Sequence, residues 1–374
     1  MKIIHFCQYK VRHSNGIQAA VWELAKHQAR LGHDVEIISL GRMPHADEVE
    51  IVSKEGIKLT GYAGGFPKPA VIARIVERLS GDGDCVCHVH SVFIPWHSLL
   101  CRSLYRSGVR YFVSPHGNLL GREMARKRLK KEIYFRCIEA PVLKRAAGIL
   151  CVSEPEVERV NSLLGRGLGM NLGNGVDSGM FNDLPEKRQV PEGKVSGVFL
   201  GKSDVLHKGF DRMFHVAKRI PGGVDFFVIR HNQAGMTAEF DNLLDAYAGD
   251  DHVRVKPPVY TEEKVSVLGD ADLYLHLPRW EVFGMAIIEA AMAGLPLVLS
   301  SDCDLADEAE SAGAALILSP DNEGGFDKLD ELIADKDALR EMGEKARRWA
   351  METYSSEVVA SRSISFYQRG ASDS

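Results

Sequence analysis

Short apolar runs alternate along the first half of the chain with longer stretches whose apolar residues recur at helical spacing. Residues 3–7 predict a buried strand, residues 17–31 an amphipathic helix, and residues 34–40 a second strand. A strand, loop, helix and strand of these lengths are typical of a βαβ unit, whose strands run parallel. The alternation then continues through predicted strands at 85–90, 111–114 and 148–152.

The same alternation restarts in the second half of the chain. The segment between the halves, residues 165–191, is rich in Gly, Asn, Asp and Pro, which indicates a domain junction. The pattern therefore predicts an α/β protein with two successive parallel-sheet domains. Ligands of such domains bind at the carboxyl ends of strands, so the loops that follow the strands are where chemistry is expected. The strands of the second half are predicted at 195–200, 224–230, 253–256, 273–277 and 296–300.

Composition narrows the class of protein. A chain of 374 residues is too long for one ordinary domain, and 45% hydrophobic with 26% charged residues is the balance of a globular protein. The net charge of −5 argues against a nucleic-acid partner. The first residues read as a strand and not as a signal peptide, and no apolar run approaches the roughly 20 residues of a membrane span. Seven cysteines without disulfide spacing favour reduced thiols and a cytoplasmic protein.

The strongest local signal runs from residue 278 to residue 296. Glu281 lies in the loop after a predicted strand, and Gly284 allows close approach of the backbone to a ligand. The free N–H groups near Met285 and Ala286, at the start of a helix, favour an anion such as a diphosphate. Glu289 lies on an otherwise apolar helix, where ribose hydroxyls would serve as its partners. The alternative is a capping glutamate followed by a solvated one.

A second signal joins Gly201 and two lysines, Lys202 and Lys208, in the loop after the strand at 195–200. Two ammonium groups at the carboxyl end of a strand can neutralise a diphosphate leaving group. The alternative is a pair of solvated surface lysines.

Two loops of the first half are also candidates. His116 follows the strand at 111–114 directly, and beside Gly117 it can donate a hydrogen bond to a substrate oxygen; a structural histidine is the alternative. Gly16 opens the first helix, where N–H groups suit a phosphate. Neither a dinucleotide-binding Gly-x-Gly-x-x-Gly fingerprint nor a P-loop pattern is present.

Two further patterns concern metals and membranes. Cys85, Cys87, His88 and His90 suggest metal ligands, but on a strand the two cysteines share one face and the two histidines the other, so no metal site is predicted. A basic helical stretch at 124–145 overlaps a cluster that is either a solvated face or a contact with an anionic membrane surface. The cluster consists of Arg122, Arg126, Lys127, Arg128, Lys130 and Lys131.

Taken together, these segments resemble the large family of retaining GT-B glycosyltransferases often called family 4. The eight-residue spacing of Glu281 and Glu289, with Phe283 and Gly284 between them, carries most of the likeness. The other matching motifs follow one order along nearly the whole chain: Asn15-Gly16-Ile17, residues 31–35, His116-Gly117, residues 152–154, residues 174–177 with Phe181, Gly201-Lys202 and Lys208-Gly209.

The resemblance implies two Rossmann-like domains, at residues 1–180 and 181–355, that face each other across a deep cleft. The first would be the acceptor side and the second the domain of the nucleotide-sugar donor. Residues 356–374 would form a C-terminal helix and tail that pack toward the first domain.

The resemblance also implies roles for residues of the donor site. Lys202 and Lys208 would hold the diphosphate, Glu281 the hydroxyls of the transferred sugar, and Glu289 the ribose. Family members usually carry Arg where Lys202 stands, and lysine keeps the charge but loses the bidentate fork. Phosphate would be contacted by Gly16 and the N–H groups after Gly284, and Gly201 would also belong to the donor site. The base would lie near Pro257, Pro258 and Val259, and His116 would lie near the donor sugar and the reacting carbon.

The implied reaction is transfer with retention at the anomeric carbon, without a required metal or other cofactor. A UDP-sugar is favoured over GDP-mannose as donor, and the expected acceptor is a glycan or lipid-linked glycan of the bacterial envelope, such as lipopolysaccharide, O-antigen, capsule or exopolysaccharide. The expected location is cytoplasmic, with the basic cluster as a candidate peripheral contact at the inner face of the membrane. A sugar-nucleotide epimerase and a non-catalytic nucleotide-sugar binding protein remain alternatives, and the oligomeric state is open.

Overall fold

The computed structural model describes residues 1–10, 16–64, 68–81, 85–120, 128–165, 167–182, 184, 194–230 and 234–369. The chain divides into two compact units. The first unit contains Met1–Gly175 and Ser356–Ser374, and the second contains Val176–Ser355. The first boundary therefore lies at 175–176 and not at 180–181, and the C-terminal helix belongs to the first unit.

The first unit is built on a seven-stranded parallel sheet with the order β3-β2-β1-β4-β5-β6-β7. Its strand order reverses between β1 and β4, which are hydrogen-bonded neighbours. The strands are β1 Lys2–Cys7, β2 Asp34–Gly41, β3 Lys58–Ala63, β4 Cys85–His90, β5 Tyr111–Ser114, β6 Gly148–Cys151 and β7 Gly169–Asn171. The helices are α1 Gly16–Arg30, α2 Ala46–Lys54, α3 Pro69–Ser80, α4 Pro95–Arg106, α5 Arg128–Tyr134, α6 Ala140–Leu143 and α7 Glu154–Leu164, and a π-helical turn, Phe135–Glu139, joins α5 to α6.

The second unit is built on a six-stranded parallel sheet with the order β10-β9-β8-β11-β12-β13. Here the order reverses between β8 and β11. The strands are β8 Gly197–Lys202, β9 Val224–Ile229, β10 Val253–Lys256, β11 Leu273–His276, β12 Leu297–Ser300 and β13 Ala315–Leu318. The helices are α8 Val205–Lys208, α9 Phe210–Ala217, α10 Ala234–Ala246, α11 Thr261–Asp270, α12 Met285–Met292, α13 Ala306–Ser311, α14 Phe326–Ala334 and α15 Lys336–Tyr354. The last helix of the chain, α16 Ser356–Arg369, belongs to the first unit.

Each sheet is covered on both faces, as parallel sheets require. Alternate residues of β1 enter opposite cores: Ile4 and Phe6 face one, whereas Ile3 and Cys7 face the other, together with residues of α1 and α16. Helix α16 packs against α1. No helix in the described ranges is long and apolar enough to span a bilayer.

The predicted pair of parallel-sheet domains is confirmed. The sequence pattern predicted no element between residues 41 and 84, where the structure has α2, β3 and α3, and it missed β7 and β13. The helical stretch predicted at 124–145 is helical without a break from Arg128 to Leu143, and it contains a π-helical turn at Phe135–Glu139, just before Pro141 with its missing N–H; residues 124–127 lie outside the described ranges.

Candidate active site

Two loops of the second unit meet where its strand order reverses. One follows β8 and carries Lys208, and the other follows β11 and carries Glu281. Their side chains form an ion pair, Lys208 Nζ to Glu281 Oε2, and only 16% of the lysine and 13% of the glutamate side chain is exposed. A crevice at such a reversal is the usual ligand site of an open parallel sheet.

Glu281 is held at both its side chain and its backbone. His276, the last residue of β11, places Nε2 3.1 Å from Glu281 Oε2. The glutamate N–H donates to the carbonyl of Asp302 at 3.2 Å, and its carbonyl accepts from the N–H of Asp304 at 2.8 Å. Burial alone would raise the pKa of Glu281, but the charge of Lys208 and the hydrogen bond from His276 hold it below its usual value. The carboxylate is therefore ionised and ordered.

His276 itself is kept neutral. Burial lowers its pKa, although the hydrogen bond to Glu281 raises it in part. The ring stacks on Phe199 with centroids 5.4 Å apart. A neutral histidine that faces a carboxylate carries its proton on the facing nitrogen, so Nε2 donates.

Two glycines allow these loops to close. Gly209 has φ +66°, and a Cβ there would lie 2.1 Å from the carbonyl oxygen of Leu277. Gly284 has φ +68°, and its Cβ would lie 2.7 Å from Ile287 Cδ1. Any other residue at either position would carry left-handed backbone strain, and at Gly209 it would also collide with the backbone of Leu277.

Two arginines anchor the loop that carries Glu281 through hydrogen bonds. Arg279 forms two hydrogen bonds with Asp211, at 2.8 and 2.6 Å. Arg212, which is 8% exposed, donates to the carbonyl of Pro278 and to Asp302, both at 3.0 Å. Such charge-assisted bonds fix the backbone ahead of any ligand.

Helix α12 begins directly after Gly284. The first N–H groups of a helix have no partner inside it, and the helix dipole makes that end favourable for an anion. Glu289, one turn further along, pairs with Lys264 of α11 at 2.5 Å. The glutamate is thus a partly buried, paired group and not a solvated one.

The remaining predicted residues of the second unit lie at different depths. Lys202 ends β8 with an exposed side chain. Pro258 and Val259 follow β10 and are half-buried. Phe283 is 5% exposed and packs edge-to-face on Tyr354 at 5.1 Å, so its ring serves the core. Gly201 lies beside the ring of Phe199: a Cβ added at Gly201 would lie 2.5 Å from Cζ of Phe199.

Two cavities of this unit lie away from these residues. Cavities of 380 and 440 Å³ share Val195 and Lys336 as lining residues, and the larger is also lined by Asp272 and Pro296. Val195, Asp272 and Pro296 precede β8, β11 and β12, so the cavities lie at the amino ends of these strands, away from Lys208 and Glu281. Volume alone does not locate the chemistry here.

In the first unit, His116 occupies a strained loop after β5. Its φ is +53°, which a non-glycine residue rarely adopts, and Gly117 follows at +80°. The buried carboxylate of Glu156 accepts from the N–H of Gly117 at 2.5 Å and from that of Val152 at 2.9 Å. Glu156 thereby ties the loop to the end of β6, and strain held in this way is common at functional sites.

His116, which is half-buried, adjoins a cluster of three buried histidines, His5, His88 and His90. His90 Nδ1 lies 3.1 Å from His116 Nε2, and His90 Nε2 lies 2.9 Å from His5 Nδ1. His5 Nε2 lies 2.7 Å from Oε1 of Gln28. His88 lies beside them, 2.7 Å from the hydroxyl of Tyr367 and 2.8 Å from that of Ser114. Burial lowers the pKa of His5 and of His116 to about 4 and the pKa of His88 and His90 well below its usual value, so the rings are neutral at pH 7.

The cluster bears on the question of a metal. Cys85 and Cys87 face the opposite core from His88 and His90, as the strand period predicted. What the sequence did not reveal is His5; one of its two ring nitrogens and one each from His88 and His90 lie within 4.8 Å of one another. All six nitrogens already have hydrogen-bond partners, so holding an ion would cost these bonds.

Two predicted features fall wholly or partly outside the described residues. Gly16 is exposed and begins α1, but Asn15 before it is not described. Of the basic cluster, Arg122, Arg126 and Lys127 are not described. The described part of α5 exposes Leu129 by 75% and Ile133 by 57%.

Sequence reasoning missed several side chains of both sites. They are Lys264, His276 and Arg212 in the second unit, and His5, Gln28 and Glu156 in the first. Only Gln28 had a signal of its own, as a polar residue within the buried stripe of α1. The others are recognisable only by their partners, which are distant in sequence.

Comparisons with known families match both halves of the chain. The family model described as Glycosyltransferase Family 4 matches residues 14–177, and the model described as Glycosyl transferases group 1 matches residues 182–349. The two matched ranges correspond to the two units.

Curated relatives extend over most of the chain at low identity. A GDP-mannose:cellobiosyl-diphosphopolyprenol alpha-mannosyltransferase from Komagataeibacter xylinus is 24% identical over 86% of this chain and 81% of its own length. A phosphatidyl-myo-inositol mannosyltransferase from Mycobacterium leprae is 25% identical over 98% of this chain and 96% of its own.

Solved structures share the fold. A glycosyltransferase from Rickettsia africae superposes with a TM-score of 0.76 at 15% identity, over 100% of this chain and 99% of that one. HepE of Anabaena, in complex with UDP and glucose, superposes with a TM-score of 0.73 at 13% identity, over 99% and 100%.

Proposed function

We propose that this chain, which belongs to the family 4 glycosyltransferases and has the GT-B fold, transfers a sugar from a nucleotide-sugar donor with retention of the anomeric configuration. The observation that carries the proposal is the half-buried, ordered pair of Lys208 and Glu281 where the strand order of the second unit reverses. As a glycosyltransferase acting on a glycan or lipid acceptor, the chain is neither of the two alternatives that its sequence left open, an epimerase or a silent binding protein.

The second unit offers positive charge for the diphosphate of the donor. Lys208 is oriented by Glu281, Lys202 is exposed at the end of β8, six positions before Lys208, and the first N–H groups of α12 follow Gly284. Negative charge builds on the diphosphate as the sugar leaves, and preorganised cations and N–H groups stabilise it. We therefore propose that these groups suffice without a metal ion; unchanged turnover after treatment with EDTA is the expected result.

The two glutamates have different proposed partners. Glu281 is ionised, so it accepts hydrogen bonds from hydroxyls of the transferred sugar. The ammonium group of Lys208 then contacts the diphosphate. Glu289, oriented by Lys264, accepts from the ribose hydroxyls. The base is proposed to lie near Pro258 and Val259, which follow β10.

The proposed step needs no protein nucleophile. The acceptor hydroxyl attacks the anomeric carbon from the face that the diphosphate leaves, so that configuration is retained. A phosphate oxygen of the leaving group takes the proton of the attacking hydroxyl. The protein contributes position and electrostatic stabilisation.

Two donors are candidates, and they differ in base and sugar. The sequence favours a UDP-sugar, and HepE was solved with UDP and glucose at 13% identity. The relatives at 22–26% identity are all named mannosyltransferases, and two are named for GDP-mannose. We propose GDP-mannose as the first donor to test, with UDP-glucose as the second.

The acceptor is proposed to be a lipid-linked glycan or a lipid of the bacterial envelope. Relatives are named for a diphosphopolyprenol-linked sugar and for phosphatidylinositol. The exposed Leu129 and Ile133 lie one turn apart on α5 beside Lys130 and Lys131, a pattern that suits an anionic bilayer surface. Sedimentation with phosphatidylglycerol vesicles, but not with phosphatidylcholine vesicles, is expected, and replacing both apolar residues by Ser should weaken it.

A thermal-shift screen tests the donor site. A ligand at 100 times its dissociation constant stabilises a protein by about 2.7 kcal/mol. We expect GDP-mannose or a UDP-sugar to raise the melting temperature, and NMR of the transfer product to show the anomeric configuration of the donor. If no nucleotide or nucleotide sugar shifts melting, the donor-site proposal is wrong; an inverted product would refute retention alone.

A further inference from the structure

The buried polar groups of the first unit form one continuous hydrogen-bonded chain, which we call the relay. It begins at the carbonyl oxygen of Ala360 in α16 and ends at His116 in the loop after β5. Its members, in order, are Ala360, Ser363, Gln28, His5, His90 and His116.

The first links give the relay a direction. The hydroxyl of Ser363 donates to the carbonyl of Ala360 at 2.6 Å, and a carbonyl can only accept. Ser363 Oγ must then accept, and Gln28 Nε2 donates to it at 2.8 Å. The amide oxygen of Gln28 is thereby turned to His5, where it accepts from Nε2–H at 2.7 Å.

The direction passes through the imidazoles because each neutral ring has one donor and one acceptor nitrogen. His5 donates from Nε2, so its Nδ1 accepts from Nε2–H of His90 at 2.9 Å. His90 Nδ1 then accepts from Nε2–H of His116 at 3.1 Å. His116 is left with an unprotonated Nδ1, which is buried and has no hydrogen-bond partner among the described residues.

A side branch has the same direction. Gln28 Nε2 also lies 3.4 Å from the hydroxyl of Tyr367, which it donates to. That hydroxyl donates to His88 Nδ1 at 2.7 Å, and His88 Nε2–H donates to Ser114 Oγ at 2.8 Å. All four rings therefore carry their protons on Nε2.

We infer that the relay holds His116 in its Nε2–H tautomer, and that the bare Nδ1 accepts a hydrogen bond from a hydroxyl of a bound sugar. The reversed relay would turn Nδ1 into a buried donor without a described partner and would take the Ser363 hydroxyl away from Ala360. A cavity of about 10 Å³ lined by His90, Ser114 and His116 leaves room for one water or hydroxyl. This inference differs from the expectation that His116 donates to a substrate oxygen, and it rests on the proposed function.

Gln28, His5 and His90 are positioning residues in this scheme, since they act on the sugar through His116. A network that was only structural would stabilise the fold in either direction and would not link the tautomer to turnover. The tautomer and the turnover must therefore be measured in the same variants.

The test uses the full-length protein labelled with ¹⁵N-histidine. Two-bond ¹H–¹⁵N correlation at pH 7.5 distinguishes protonated from bare ring nitrogens, and the spectrum of His116→Gln assigns the signals of His116. We expect a bare Nδ1 in the unaltered protein and a mixture of tautomers in Ser363→Ala and in Gln28→Met, which removes the amide at nearly constant size. Ser365→Ala, on the exposed side of the same helix, is the matched control and should change nothing.

Turnover is measured with GDP-mannose and UDP-glucose, both as transfer and as hydrolysis without acceptor. We expect kcat/KM to fall about tenfold in Gln28→Met and about threefold in Ser363→Ala, as for the loss of one neutral hydrogen bond. A change that includes hydrolysis and the donor KM assigns the hydroxyl to the transferred sugar, whereas a change in the acceptor KM alone assigns it to the acceptor.

Three results would overturn the inference. They are a protonated Nδ1 in the unaltered protein, an unchanged tautomer in both variants, and an altered tautomer with unaltered turnover. An unaltered protein that turns over no donor would instead refute the proposed function, because the tautomer is measured without any substrate.

Discussion

The two units differ in the charge of the polar side chains at equivalent points of their sheets. Each places polar side chains beside the point where its strand order reverses. In the second unit these are ion pairs, Lys208 with Glu281 and Lys264 with Glu289. In the first unit they are neutral imidazoles that bond to one another and to Gln28.

The difference matches what each unit is proposed to bind. A diphosphate and a leaving group need charge, and a protein can keep charge ready in a half-buried site only by pairing it. A sugar hydroxyl needs a directed donor or acceptor, and a neutral ring supplies one without the cost of burying charge. The proposed site of the second unit therefore acts through paired charges, whereas that of the first unit acts through neutral hydrogen-bonding groups.

The largest expected effect comes from breaking the central ion pair. Lys208→Met leaves the half-buried Glu281 carboxylate without its counter-ion, and Glu281→Gln removes the charge that orients Lys208. Each should lower sugar transfer by about 100- to 1,000-fold, as for other lost electrostatic groups in active sites. The measurement is kcat/KM with GDP-mannose or UDP-glucose.

Lys218→Ala is the matched control for this pair. That lysine is 52% exposed and pairs with Asp250 in the same unit, so its loss should leave transfer unchanged. Circular dichroism should show that all three variants fold. Full activity in either variant of the central pair would exclude it from the site.

Acid should break the first unit before the second. Five histidines of the first unit have lowered pKa values, and burial lowers the pKa of His5, His97 and His116 to about 4. Between that pH and 6.5 the unfolded chain binds protons that the folded one does not, so stability falls as the pH falls. The loss is about 1.4 kcal/mol per pH unit for each such histidine.

Hydrogen exchange separates the units in this experiment. We expect the amides of β1, β4 and β5 to lose protection between pH 6.5 and 4.5, relative to intrinsic exchange rates, before those of β8 and β11 do. In the described part of the second unit only His207 and His276 have lowered histidine pKa values. Earlier loss in the second unit, or equal protection at both pH values, would contradict the comparison.

A smaller effect is expected at the exposed lysine. Lys202→Ala removes one cation from the proposed diphosphate site without leaving a buried partner, so donor KM should rise about 30-fold, as for one charge-assisted hydrogen bond. Lys202→Arg restores the charge and adds a bidentate fork, so it should bind the donor at least as tightly as the unaltered protein. Donor KM and the thermal shift with GDP or UDP measure both; an inert Lys202→Ala would remove this residue from the site.

The smallest effect concerns the ribose. Glu289→Gln keeps an acceptor oxygen but loses the charge, so nucleotide affinity should fall about fivefold with little change in kcat, as for one weakened hydrogen bond. Binding of GDP and 2′-deoxy-GDP checks the assignment. The deoxy nucleotide should bind more weakly than GDP to the unaltered protein but equally to Glu289→Gln; the same loss in both proteins would place the ribose elsewhere.

Particular residues show how far sequence reasoning reaches. The two parallel sheets follow from the spacing of apolar runs, because hydrophobic periodicity is a local property of the chain. Glu281, Glu289 and the two lysines are recognisable because they share short motifs with Gly284 and Gly209, whose positive φ values are a local requirement. Helix α3, between residues 41 and 84, was missed although its buried residues Ile72, Ile75, Val76 and Leu79 recur at helical spacing, so a local pattern indicates this element too.

By itself, the sequence determined the fold class, the family and the candidate residues of both units, since each depends on neighbours a few positions apart. Only the tertiary structure decided what those residues do electrostatically. Lys264 finds Glu289 across 25 positions, and Gln28 finds Ser363 across 335. Burial, charge state and tautomer depend on such distant contacts. For that reason no local pattern could predict that the site residues of one unit are ionised and those of the other neutral.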